Sequence, residues 1–193
     1  MLTPVDLARA ASLPGQGADL GRPLFVQLSD SHIGFHKDAN PDVAGTLAAS
    51  ISLVNALLAQ PTLVLHTGDI THRSKPEEFD HAQSLFSHLR ATELHAVPGE
   101  HDVADPTVSE YFHRFGAPSG GKGYYSFDHA GVHFVALVNV LQAKDGGSGF
   151  LGEEQITWVR HDLRARREHA HCGVRAHAAV EHPRCLGLAH ARC

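Results

Sequence analysis

The chain lacks the features that would mark it as fibrous, membrane-spanning or disulfide-held. Its 193 residues contain no long uninterrupted apolar run. The most apolar stretch, Thr46 to Ala59, carries Ser50, Ser52 and Asn55, and is too short and too polar to cross a bilayer. Met1 to Leu13 holds Asp6 and Arg9 and no continuous apolar segment, so it does not read as a cleavable signal. As written, the chain is expected to be cytoplasmic and to have no membrane partner. Cysteine is scarce and badly placed for structure: Cys172, Cys185 and Cys193 are all near the C-terminus, odd in number and without zinc-ribbon spacing. That excludes a disulfide framework. Basic residues are few, with Lys+Arg at 16 against Asp+Glu at 21 and a net charge of −5 with histidine neutral. No basic face for a nucleic acid is expected.

The sequence does contain enough apolar residues, 42%, for the core of one ordinary domain. It also has 17 histidines, which raises the question of a metal. Most of them are read as solvated surface residues.

Three short apolar runs read as buried strands: Leu24–Leu28, Thr62–His66 and Leu94–Val97. Two amphipathic helices alternate with them. One starts at Pro41-Asp42 and turns Val43, Leu47, Ile51, Val54 and Leu58 inward. The other runs from Lys75 to about Arg90 with Phe79, Leu85, Phe86 and Leu89 inward. Strand–helix–strand–helix–strand predicts a parallel α/β sheet with right-handed crossovers. Pro106 to Phe115 reads as a helix. Gly123–Asp128 and Val132–Val138 read as a hairpin turning at His129-Ala130-Gly131, and Gly152 to about Arg167 as a last helix. Residues 1–23 form a polar lead-in, 24–167 the domain, and 168–193 an irregular tail without helical or strand period. Trp158, Tyr124, Tyr125 and Phe127 read as core, and the Arg160–Arg167 charges as a solvated helix face.

Each predicted parallel strand ends in a polar block: Asp30-x-His32, Gly68-Asp69, and Gly99-Glu100-His101-Asp102. Open α/β sheets place ligands at these carboxyl ends. Each block alone is an ordinary turn. Together they supply what two divalent ions about 3.5–4 Å apart need to clamp a phosphoryl group and activate a water: oxygen and imidazole ligands, with one carboxylate able to bridge. Asp30 and His32, two apart on extended chain, would hold the first ion. Asp69 would bridge, and Glu100 would reach the second. His101 would then serve as general acid or as a cation beside the phosphate, with Asp102 orienting it. His66 reads as a satisfied near-core residue. His36, Lys37 and His72 read chiefly as solvated loop residues near the cleft, and Asn139 as a cap.

This block order resembles the calcineurin-like metallophosphoesterase superfamily, with the pattern Asp-x-His, Gly-Asp, Gly-Asn-His-Asp/Glu, a later His, and Gly-His-x-His. The stretches Gln27–Gly34, His66–His72, Tyr124–Val138 and Leu151–Val159 fall in the expected order. The likeness is greatest to the bacterial branch of phosphodiesterases and purple-acid-phosphatase-like enzymes. It implies the N-terminal part of a four-layer α/β/β/α sandwich with a mixed sheet. It also implies hydrolysis of phosphate mono- or diesters, a metal-activated water, two divalent ions (Mn, Fe or Zn) and a small-molecule phosphate ester as substrate.

The sequence departs from the family pattern in two places. Glu100 replaces the usual Asn, adding a negative charge and a methylene to that ligand. No Gly-His-x-His follows Arg167, so the last histidine ligands are missing. That second departure supports an alternative reading, a defective phosphoesterase that binds metal or phosphate without turnover. The tail is consistent with a frame break. Back-translating His169–His182 with GC-rich codons and shifting one base forward can give a strand followed by His-x-Pro-Leu-Trp, similar to the family's fourth block.

Overall fold

The computed structural model describes residues 25–103, 108–141, 149–166 and 170–175. The expected lead-in lies outside the described residues. The elements run β1 (Val26–Leu28), α1 (Val43–Asn55), β2 (Leu63–His66), α2 (Pro76–Phe86), β3 (Glu93–Ala96), a 3-10 turn (Glu100–Val103), α3 (Ser109–Phe115), β4 (Tyr125–His129), β5 (Val132–Leu137), α4 (Glu153–Ala165) and β6 (Ala170–Arg175).

Local chemistry sets the helix starts. Asp42 caps α1 by accepting the Gly45 N–H at 2.8 Å. The serines that make this helix look polar turn back on it: Ser50 Oγ donates to the Thr46 carbonyl and Ser52 Oγ to that of Ala48. Pro76 opens α2, with Glu77 and Glu78 in its first turn, where the helix dipole favours them.

β1, β2 and β3 form one parallel sheet in that order. β4 and β5 pair antiparallel, and β5 pairs parallel with β6 in a second, mixed sheet. The β4–β5 turn is Ala130-Gly131, both at positive φ (49° and 80°), with His129 facing Val132. That geometry is a type I′ hairpin turn.

The core shows the layering. Leu63 and Leu65 of the first sheet, with Val97 just past β3, meet Tyr125, Phe134, Ala136 and Val174 of the second. On the outer side of the first sheet, Val43, Leu47 and Ile51 of α1, Phe79 and Phe86 of α2 and Tyr111 of α3 pack with Ile70 and Ala96. Beyond the second sheet, α4 docks through Trp158 against Tyr124, Val138 and Val140. Gln155 holds it there, taking the Val138 N–H and giving to the Val138 carbonyl. Helix, sheet, sheet, helix is the expected four-layer order.

His133 is buried between two carboxylates, Asp128 and Asp162, each 2.6 Å from one of its ring nitrogens. Through its two ring nitrogens this residue ties β4, β5 and α4 together. Arg166 also donates to Asp162.

One expectation is corrected. Residues 170–175, read as part of an irregular tail, form β6 in register with β5 from Val132↔Ala170 to Leu137↔Arg175. The open edge of β5 needs its backbone donors and acceptors paired, and a six-residue segment does that without strong side-chain periodicity. Val174 is buried there and Cys172 packs partly against the same core. Residues 176–193 lie outside the described residues.

Candidate metal centre

The ends of β1, β2 and β3 continue beyond the strands as a stack of loops joined by backbone hydrogen bonds. Asp30 N–H donates to the Gly68 carbonyl, His32 N–H to that of Asp69 at 2.9 Å, and His72 N–H to that of Ile33 at 2.9 Å. The first two predicted blocks are therefore locked side by side, and the third is tied to the second through the Asp69 and Asp102 side chains. Asp30, His32 and Asp69 all sit in the left-handed region, with φ of 57°, 42° and 54°. A non-glycine residue held there costs of order 1 kcal/mol, and clusters of such residues mark sites where geometry serves function. Gly99 has no latitude either: a Cβ on it would overlap the Asp69 carboxylate and amide nitrogen. The glycine of the third block lets that loop close onto the aspartate of the second.

Six side chains converge. Donor atoms lie within 4.8 Å of one another in each of three overlapping groups: Asp30, His32 and Asp69; Asp69, Glu100 and His101; and His32, His72 and His101. His32 Nε2 lies 3.7 Å from a carboxylate oxygen of Asp30 and 3.7 Å from one of Asp69. The four predicted ligands, Asp30, His32, Asp69 and Glu100, are thus brought together with His101. Asp69 belongs to two of the groups, the position expected of a bridge.

His101 is fixed by the backbone. Its N–H donates to Asp69 Oδ1 at 2.9 Å, and its Nδ1 lies 2.8 Å from the His72 carbonyl oxygen. A carbonyl only accepts, so Nδ1 carries the proton and Nε2 is left for the site. Ser74 Oγ donates to the His101 carbonyl at 2.7 Å and pins the turn from the other side.

This geometry corrects the role read for Asp102. It does not orient His101. It is buried, and both its oxygens are taken: Oδ1 by Thr71 N–H and Oγ, Oδ2 by the N–H groups of Ile70 and Gly99. Asp102 is a clamp joining the second block to the third, and the His72 carbonyl takes over the task of orienting His101. Burial pushes the Asp102 carboxyl up to about 6, against the pull of these bonds.

His72 is the residue that sequence reasoning undervalued. Its ring stacks on His101 at 4.9 Å and meets His32 edge-on at 5.7 Å. Burial, with His101 and His32 next, lowers its pKa and favours the neutral form that can ligate. The signal was its spacing, three residues after Asp69 on the same loop. His66 is buried as expected but only half satisfied: Nε2 lies 2.8 Å from Ser31 Oγ, and Nδ1 has no partner among the described residues. Asn139 is not a cap: it is buried, and its side-chain amide makes no hydrogen bond among the described residues.

The residues fit a metal. Three imidazoles and three carboxylates suit borderline divalent ions. Among the described residues the Nδ1 atoms of His32 and His72 are buried without a hydrogen-bond partner, as are those of His66 and His95; within the cluster they leave donor capacity for a ligand.

Residues 23–176 match the sequence model of the calcineurin-like phosphoesterase family. The chain belongs to that family. It is 26% identical over 143 residues to a protein from Arcobacter nitrofigilis named "Probable glycerophosphodiester phosphodiesterase". It is 26% identical over 145 residues to one from Rhodopseudomonas palustris named "Probable cyclic nucleotide phosphodiesterase". Each match covers 72% of this chain and 51% of the relative, so the chain spans about half the length of these curated proteins. Purple acid phosphatase from yellow lupin seeds shares the fold at a TM-score of 0.54 and 15% identity, over 73% of this chain and 27% of that one. Among the described residues no helix is long and apolar enough to cross a membrane.

The buried His66 also carries a pH prediction. Burial holds it at about 4 against an ordinary value of 6.5. Between those values the unfolded chain binds more protons than the folded one. The stability that neutral His66 confers is therefore complete above pH 6.5 and is lost as pH falls toward 4, by about 3 kcal/mol. Asp102, with its raised value, acts in the opposite sense over nearly the same range, so the raw acid curve hides both. The stability gap between wild type and His66→Gln, from denaturant unfolding, is expected to narrow by about 3 kcal/mol from pH 7 to pH 4. A constant gap would refute this.

Proposed function

We infer that the chain is a metal-dependent phosphoesterase that hydrolyses a small phosphate mono- or diester at a dinuclear centre. The observation that carries this is Asp69, which belongs to two of the overlapping ligand groups. Asp30, His32 and Asp69 would hold one ion, and Asp69, Glu100 and His101 or His72 the other, with Mn, Fe or Zn suited to the donors. Such ions polarise phosphoryl oxygens and lower the pKa of a water into the neutral range.

The chain's own part is positioning and proton transfer. The loop stack fixes the carboxylates at one face. The His72 carbonyl holds the proton of His101 on Nδ1, so Nε2 points to the site. A protonated Nε2 gives its proton to the leaving oxygen, and the neutral ring is a ligand or base. Glu100 is exposed at the rim, where its charge partly opposes an anionic substrate and keeps product phosphate from binding tightly.

The test is metal analysis of the purified chain with hydrolysis of bis(p-nitrophenyl) phosphate. About two ions per chain and turnover lost on chelation are expected. One weakly held ion and no turnover would favour the defective phosphoesterase instead.

A further inference from the structure

A cleft of about 590 Å³ opens beside the ligand cluster, walled by the loop after β1, the start of α1 and the loop before α2. His72 belongs to both. The rings of His101, His72 and Phe35 follow one another, with centroids 4.9 and 5.1 Å apart, leading from the cluster into the cleft. Ile33, Phe35, Pro41, Val43 and Ala44 supply an apolar floor. Three acidic residues line it, each engaged: Asp42 caps α1, Glu78 Oε2 accepts the Arg73 N–H at 2.8 Å, and Glu77 lies 3.8 Å from the Lys75 ammonium. Lys37, Arg73 and Lys75 stand at its border.

We propose that this cleft takes the organic arm of the phosphate ester, and that the arm carries a flat, apolar ring, aryl or heteroaryl, rather than a small polyol. The proposal rests on the reading of the cluster as a phosphoester site. Its volume matches an ordinary small-molecule pocket. A ring would lie on Phe35, Val43 and Ala44 and displace water from apolar surface. On the floor itself a glycerol-like arm would set hydroxyls against apolar side chains, and each hydroxyl left unpaired there weakens binding. Of the bordering cations, Lys37 and Arg73 accommodate the ester's negative charge, while Lys75 is paired with Glu77.

The test is calorimetric titration of the metal-loaded full chain with inorganic phosphate, methylphosphonate, 2-hydroxyethylphosphonate and phenylphosphonate. None of these is hydrolysed. Phenylphosphonate is expected to bind about 10- to 50-fold more tightly than methylphosphonate, and 2-hydroxyethylphosphonate no better than methylphosphonate. Ala44→Phe fills the cleft from its wall. It is expected to reduce the phenyl preference to about 3-fold or less while leaving inorganic phosphate affinity unchanged. Ala44→Leu, a smaller plug in a residue type that suits helices, serves if the larger one does not fold. A phenyl preference below about 3-fold in the wild type, a preference for the hydroxyethyl arm, or a phenyl preference that survives in a folded plug variant overturns the proposal. Failure of inorganic phosphate itself to bind has a different signature: it removes the phosphoester reading, and this inference with it.

Discussion

Asp69→Asn is expected to lower phosphodiester hydrolysis by about 10³-fold or more and to reduce bound metal from two ions to one or fewer, with the melting temperature nearly unchanged. The expectation follows from what each oxygen does. Oδ1 accepts the His101 N–H at 2.9 Å, and Oδ2 lies 3.7 Å from His32 Nε2 on the ligand side. An asparagine keeps the shape and, with its oxygen toward His101, keeps the hydrogen bond. Its NH₂ then faces the ligand cluster, where it cannot donate a lone pair to a cation and repels one. The reverse rotamer sets NH₂ against the His101 N–H. Fold is retained and the shared ligand is lost, and losing several kcal/mol of charge stabilisation is a rate effect of this size. Metal content, kinetics with bis(p-nitrophenyl) phosphate and thermal melting check it together. Two ions retained with less than a tenfold loss in rate would show that Asp69 is not the bridge.

The fold and most of the site could be read in the sequence because both depend on short-range patterns. β2 is buried on every residue, so it reads as an unbroken apolar run. α1 and α2 bury one face each, so they read as helical periods. Parallel strands joined by helices bring their carboxyl ends to one side, and that alone assembles Asp30, His32, Asp69, Glu100 and His101. What the sequence hid depends on side-chain direction and on backbone partners. Asp102 follows His101 directly, and adjacency suggested contact. In the 3-10 turn the two side chains diverge, one to the site and one to buried amides. His72 looked like a loop residue because only the register of its N–H on Ile33 folds it back over His101. β6 was missed because its strand character comes from the edge it pairs with, not from its own composition.

Asp102→Asn is expected to cost about 2–5 kcal/mol of folding stability and to leave the intrinsic rate of the folded enzyme within about tenfold. Four donors converge on this buried carboxylate, at 2.8 and 3.0 Å from Thr71 and at 3.0 Å each from Ile70 and Gly99. An amide nitrogen can replace either oxygen only by facing donors. On the Oδ2 side it meets two backbone N–H groups that cannot turn away. On the Oδ1 side the Thr71 hydroxyl can rotate, but the Thr71 N–H stays unpaired. At least one buried backbone donor is orphaned in every rotamer, and a domain with about 5–15 kcal/mol in total feels that loss. Denaturant unfolding measures the stability, and kinetics at low temperature on the folded fraction measure the rate. The two roles for Asp102 predict opposite results. If it oriented His101, the variant would stay stable, and kcat and its pH profile would collapse. As the clamp between the Gly68–Thr71 loop and Gly99, it takes stability away first, and metal affinity with it, because the loops carrying Asp69 and His101 lose the bond that holds them in register.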